Sequence, residues 1–217
     1  MFLQKKSFLV LGGDDRMLFL SEFLKESGYR VVIGGFDKKD GYSETQQELT
    51  EKIKSSDIVI LPIPLTKDRV LLNMPHSAQT IKLEELQDLI AEKISFGGGR
   101  FLGCNGYIDL LNEEWLTVHN AELTAEGAIS RALTYSNRSL SDCTILVAGF
   151  GRIGKQLARM LQPFCRNLYV SARKEKDQAE IESMGYRFAH TEKISQHKQL
   201  FDLIFSTSVF FIEFPQN

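Results

Sequence analysis

Three glycines carry the clearest chemical meaning in this chain, in the run Gly149-Phe150-Gly151-Arg152-Ile153-Gly154. An apolar stretch, Thr144 to Ala148, leads into it. Residues Arg152 to Leu161 follow, with Ile153, Leu157, Met160, Leu161 and Phe164 at helical spacing. A strand that turns through such a loop into an amphipathic helix is the arrangement that holds a dinucleotide pyrophosphate. Gly149 is expected to make the tight turn, Gly151 to let the backbone approach the phosphates, and Gly154 to let helix and strand pack closely. The helix start adds N–H donors and a partial positive charge. The expected cofactor contacts are therefore Gly149, Gly151, Arg152, Ile153 and Gly154, with Thr207 just past the last strand.

The second strand of such a unit usually ends in an acidic residue that bonds the ribose 2′-hydroxyl of NAD. Here Ser171-Ala172-Arg173-Lys174 stands in that region. A serine hydroxyl, a guanidinium fork and an ammonium suit a 2′-phosphate, so Ser171, Arg173 and Lys174 point to NADP rather than NAD.

A second strand–turn–helix, "VLGGDDRML", invites the same reading and fails on charge. Asp14 and Asp15 would repel a pyrophosphate; Asp14 suits a helix N-cap and Asp15 the positive end of the helix dipole. The alternative is a substrate loop facing an interdomain crevice, in which Arg16 grips a carboxylate bidentately beside Asp14. Asn105 in "GCNGY" is a substrate candidate, although Asn-Gly is also a common turn. In "HNAELTAEGAIS", Thr124 is expected to cap a helix, and Gly127 inside it is expected to serve close packing. Asn120 and Glu126, with His119, are further candidates to reach a cleft.

The elements that must position these residues alternate strand and helix, the pattern of parallel sheets with helices on their faces. The expected order in the first part is strand Phe8–Leu11, helix Arg16–Ser27, strand Tyr29–Ile33, helix Ser43–Ser56, strand Ile58–Leu61, helix Leu83–Ile94 and strand Phe101–Cys104. Phe19, Leu20, Phe23 and Leu24 are the expected inner face of the first helix. A helix Leu123–Thr134 follows. Then come strand Thr144–Ala148, helix Arg152–Leu161, strand Leu168–Ser171, helix Asp177–Met184, strand Tyr186–Ala189, helix Glu192–Leu200 and strand Leu203–Ser206. The expected architecture is an N-terminal flavodoxin-like parallel α/β domain (1–120), an interdomain helix (121–140) and a Rossmann-type NAD(P)-binding domain (141–217).

Composition adds exclusions. The formal net charge of −2 over 217 residues gives no electrostatic footprint for nucleic acid. No apolar run approaches the roughly 18 residues needed to span a bilayer, so no membrane association is expected. Cys104, Cys143 and Cys165 form no CxxC pair and read as reduced thiols of a cytoplasmic protein. The scattered histidines suggest no metal site.

Several stretches together resemble the A subunits of dipicolinate synthase: "LGGDDRMLFLSEFLKESGYRV", "ILPIPL", "ELTAEGAISRAL", and "ILVAGFGRIGKQLARML" followed by "SAR". The layout is also similar to that of D-2-hydroxyacid dehydrogenases. The first resemblance implies NADP-linked oxidation of a small cyclic dicarboxylate, a dihydro- or tetrahydrodipicolinate, to dipicolinate. It also implies action in the mother cell of a sporulating bacterium, together with a separate B subunit. Aromatising such a ring removes water and two hydrogens, and the hydride step is what a Rossmann domain serves. The alternatives are a non-catalytic nucleotide-binding subunit or a D-2-hydroxyacid-dehydrogenase-like oxidoreductase.

A full dinucleotide fold has six strands in the order 3-2-1-4-5-6, and only four are read after Ser141. The expectation is therefore a C-terminally truncated domain. Its last strand would form an apolar edge, with Phe205, Val209, Phe210, Phe211, Ile212 and Phe214 nearby, favouring a homo-oligomer.

Overall fold

The computed structural model describes residues 6–101, 103–136 and 138–207, which form two compact units, Met1–Glu113 and Glu114–Asn217. Val209, Phe210, Phe211, Ile212 and Phe214 lie outside the described residues.

In the first unit, β1 (Ser7–Leu11), α1 (Asp15–Glu26), β2 (Arg30–Gly34), α2 (Gln46–Ser55), β3 (Ile58–Ile60), α3 (Leu83–Ile90), β4 (Ile94–Gly97) and β5 (Tyr107–Asp109) follow in order. The five strands are parallel in the order β2-β1-β3-β4-β5, the flavodoxin-like arrangement expected. Leu9, Leu11, Leu49, Ile53, Val59, Leu61, Leu86 and Ile90 pack one face of this sheet. Val10, Met17 and Phe36 pack the other. Full burial of each such side chain contributes about 1.5–3 kcal/mol, which makes these two layers the main stabilisation of the unit.

Two elements differ from expectation. The strand placed at Phe101–Cys104 is instead Ile94–Gly97, followed by Tyr107–Asp109. On α1, the inner face is Met17 and Ser21 with Leu20 and Leu24 beside them, while Phe19 and Phe23 stand exposed.

The second unit opens with α4 (Glu114–Tyr135), a single helix that starts well before the expected Leu123. Thr124 lies inside it and donates its hydroxyl to the Asn120 carbonyl at 2.6 Å, so it does not cap the helix. Then come β6 (Thr144–Ala148), α5 (Arg152–Leu161), β7 (Asn167–Ala172), α6 (Glu175–Ser183), β8 (Arg187–His190) and β9 (Leu203–Ser206). The segment expected as a helix at Glu192–Leu200 is two 3-10 turns, Thr191–Gln196 and Lys198–Leu200.

The strands are parallel in the order β8-β7-β6-β9, which is the 3-2-1-4 part of a dinucleotide-binding sheet. α4 and α5 cover one face through Ala125, Leu157, Ala158 and Leu161 on Ile145, Val147, Val170 and Phe205. Phe205 is buried there, so it is not part of an exposed apolar edge. No helix among the described residues is long and apolar enough to cross a membrane.

Candidate functional site

The glycine loop sits between the carboxyl end of β6 and the start of α5. Each glycine there has a different surrounding. Gly149 has φ +117°, a conformation that side-chain-bearing residues rarely adopt, and it turns the chain out of the sheet. Gly154 is pressed against that turn: a Cβ on it would lie 2.0 Å from the Gly149 carbonyl oxygen. Gly151, the N-cap of α5, has nothing within 4 Å of where a Cβ would stand. No side chain caps this helix start. The loop therefore offers an open approach to main-chain donors and the positive end of a helix dipole, which is what a pyrophosphate requires.

Thr207 is brought to the same place. Its N–H and its hydroxyl both donate to the Ala148 carbonyl, at 3.0 and 3.1 Å, fixing the end of β9 beside the loop. Ile153, Leu157, Phe205, Ser206, Thr207, Arg131 and neighbours line a groove of about 390 Å³ along α4 on this side. A dinucleotide thus fits the residues present: the empty surface over Gly151 is the cradle that a Cβ would fill.

The loop's two cations are held by carboxylates that the sequence pattern does not single out. The Arg152 guanidinium forks onto Glu114, the first residue of α4, with Nη2–Oε2 at 2.6 Å and Nε–Oε1 at 3.3 Å. This pairing holds the Glu114 carboxyl below its ordinary range and raises the Arg152 guanidinium further. Lys155 pairs with Glu180 of α6 and lies over the Phe150 ring, 4.6 Å from its centroid. Two turns past Arg152, Arg159 donates to Glu122 of α4 at 3.0 Å and to Gln156 at 3.1 Å.

The residues after β7 divide. Arg173 and Lys174 are exposed at the carboxyl end of the strand, and Lys174 occupies the N-cap of α6. Glu175 and Asp177 lie in the first turn of that helix. Ser171 departs from expectation: its hydroxyl is fully buried within the sheet and has no hydrogen-bond partner among the described residues, so it does not stand beside Arg173 as a surface donor.

In the first unit the loop after β1 is closed. A Cβ on Gly12 would meet Met74 at 2.5 Å and one on Gly13 would meet Met17 at 2.5 Å, so methionine side chains fill the space a phosphate would need. Asp14 caps α1 by accepting from the Arg16 N–H at 3.1 Å. The same carboxylate takes the Arg16 side chain fork to fork, Nε and Nη2 each at 2.9 Å, and Nη2 also donates to the Ile63 carbonyl at 3.0 Å. This pair holds the Asp14 carboxyl below its ordinary range. The expectation of Arg16 as an open carboxylate grip is thus corrected: its fork is already engaged.

Asp15 faces Lys39 at 2.6 Å and His76 Nε2 at 3.4 Å, neither of which the sequence pattern singles out. Asn105 lies at the opposite edge of the sheet, next to Gly106, whose carbonyl accepts from Ser95 at the start of β4. It is not grouped with the β1 loop.

On α4, His119, Asn120 and Glu126 are exposed, as is Trp115 (69% accessible) in the first turn. Gly127 has nothing within 4 Å of a Cβ position, so the close packing expected for it is not what it serves. Cys143 and Cys165 are buried free thiols and Cys104 is half-buried. Among the described residues no cluster of His, Cys, Asp and Glu could hold a metal.

Known proteins are similar to both units. Residues 7–102 match the N-terminal domain of the dipicolinate synthase A subunit. Residues 115–205 match the D-isomer specific 2-hydroxyacid dehydrogenase, NAD binding domain. The dipicolinate synthase A subunit of Bacillus subtilis (strain 168) is 25% identical, over 91% of this chain and 71% of that protein. Two solved structures share the fold. The dipicolinate synthase A subunit from Bacillus halodurans is 23% identical, with a TM-score of 0.69 over 95% of this chain and 75% of that one. Its counterpart from Bacillus subtilis is 24% identical, with a TM-score of 0.65 over 94% of this chain and 72% of that one.

Proposed function

We propose, from the premise that this chain is a homologue of the dipicolinate synthase A subunit with a dehydrogenase-type NAD-binding domain, that it oxidises a cyclic dicarboxylate with NADP as hydride acceptor. The observation that carries the nucleotide half of this reading is the set of three glycine environments: the left-handed turn at Gly149, the clear face of Gly151, and Gly154 against the Gly149 carbonyl. Bound NADP supplies the acceptor for a hydride leaving the ring, and the accompanying proton passes to solvent.

The chain's own residues bind and orient in this reading. Main-chain N–H groups at the start of α5 hold the pyrophosphate, and Thr207 fixes the end of β9 beside it. Arg173 and Lys174 receive the 2′-phosphate, which favours NADP over NAD. The substrate is a dihydro- or tetrahydrodipicolinate and the product dipicolinate. Arg16 engages a substrate carboxylate only by exchanging it for Asp14, an exchange of one bidentate partner for another. A separate B subunit, self-association of this chain and a role in the mother cell during sporulation complete the reading, supported by the relatives' names.

The test is a fluorescence titration of the purified chain with NADPH and NADH, repeated for Arg173→Ala. NADPH binds more tightly than NADH, and the variant loses roughly tenfold for NADPH alone, the scale of one charge-assisted phosphate contact. Equal binding of the two by the parent refutes the NADP assignment. Binding of neither refutes the nucleotide site.

A further inference from the structure

Arg152 is the first residue of α5 and the only arginine of the glycine loop, yet its guanidinium is turned to the carboxylate of Glu114 on a different helix. We infer that Glu114 is a built-in competitor for the nucleotide pyrophosphate: it occupies the Arg152 fork, and a bound diphosphate must displace it. This inference rests on the nucleotide reading above.

Four observations support it. Arg152 adjoins Gly151, whose outward face is clear, so the guanidinium sits beside the open approach to the helix start. Glu114 takes the fork in the bidentate geometry that a phosphate would use, so the two anions are alternatives for one donor set. Both side chains are well exposed, Arg152 at 58% and Glu114 at 70%, and an exposed pair is weak enough to be exchanged readily. Lastly, the packing of α4 on α5 does not depend on this contact. Glu122 and Arg159 tie the same helices two turns further on, and Ala125, Leu157 and Ala158 bury the interface.

Nucleotide binding therefore trades one ion pair for another. Arg152 turns from carboxylate to phosphate, and the first turn of α4, Trp115 included, loses its tie to the loop. While Glu114 stays ionised it also places a negative charge near the entering phosphates. Removing that charge without altering shape should tighten binding.

The experiment is calorimetric titration of the parent, Glu114→Gln and Glu122→Gln with ADP, which carries a diphosphate, and with 2′-AMP, which does not. Glu114→Gln should bind ADP about two- to fivefold more tightly, the range expected for an exposed ion pair. Its 2′-AMP affinity, and both affinities of Glu122→Gln, should match the parent. Unchanged ADP affinity in Glu114→Gln overturns the inference while leaving the nucleotide site standing. So does an equal gain for 2′-AMP, or an equal gain in Glu122→Gln, because a general loosening of α4 would act on all of these. Failure of the parent to bind ADP, 2′-AMP or NADPH overturns the inference and the nucleotide reading together.

Discussion

Alanine at Gly154 and alanine at Gly151 should have opposite consequences, although the two glycines are three residues apart in one loop. At Gly154 the new Cβ would sit 2.0 Å from the Gly149 carbonyl oxygen and 2.9 Å from its carbonyl carbon. Both are main-chain atoms of a turn held by the Gly149 N–H bond to Ser171, so no side-chain rotation relieves the clash. Helix and turn must separate by about 1 Å, an overpacking that costs roughly 1–3 kcal/mol or more. Alanine's better helix preference returns about 0.5–1 kcal/mol. A net loss of about 2 kcal/mol lowers Tm by roughly 8 °C or more for a unit of this size.

At Gly151 the backbone angles, φ −81° and ψ −168°, suit any residue, and a Cβ meets nothing. Stability should change by less than about 1 kcal/mol, mainly from the poorer N-cap. The methyl group would instead stand where phosphate oxygens approach, and NADPH affinity should fall about tenfold or more. Thermal melting and NADPH titration of both variants check this. A Gly154→Ala protein that melts with the parent, or a Gly151→Ala protein that binds like it, refutes the division of roles.

Other consequences are equally concrete. Leu157→Ala removes a buried side chain at the α4–α5–sheet junction and should cost about 2–5 kcal/mol in denaturant unfolding; a loss under about 1 kcal/mol would mean that the packing there collapses into the cavity. Asp57 accepts from the Ser7 N–H at 2.8 Å, the Ser7 hydroxyl at 2.9 Å and Lys6 at 3.0 Å, which lowers its pKa to about 2. A lowered folded-state value means that the stabilisation is present above the unfolded carboxyl's pKa, near 4, and fades as pH falls toward 2. The stability difference between parent and Asp57→Asn should therefore be full at pH 6 and vanish across that window; a difference independent of pH would disprove the assignment.

Much of the architecture is readable from local pattern, because strand, turn and helix follow each other within a few residues at Gly149–Gly154 and at Gly12–Arg16. Errors arise where two periods coincide. Leu86, Ile90 and Ile94 keep a spacing of four, so the helical phase runs on into β4 and pushes the expected strand past the glycines. Thr124 looks like a cap because threonine also bonds back to a carbonyl inside a helix, which it does here with Asn120.

Ser171 misleads for another reason. β7 is buried on both faces along most of its length, so the sequence shows no alternation to reveal which way the hydroxyl points. Glu114 is 38 residues from Arg152, and such a pairing leaves no local trace in composition or spacing. Arg16 shows the converse: its partner is only two residues away, but a sequence cannot tell a guanidinium that waits for a ligand from one closed on its neighbour.

The chain contains a single tryptophan, and Trp115 directly follows the carboxylate that holds Arg152. All indole emission consequently originates one residue from the glycine loop's counter-ion. No label is needed to watch this corner in solution: the unmodified protein carries one optical reporter, water-exposed and red-emitting, whose spectrum registers any rearrangement of the first turn of α4. Its overlap with the reduced nicotinamide's absorption would also read occupancy of the loop by energy transfer.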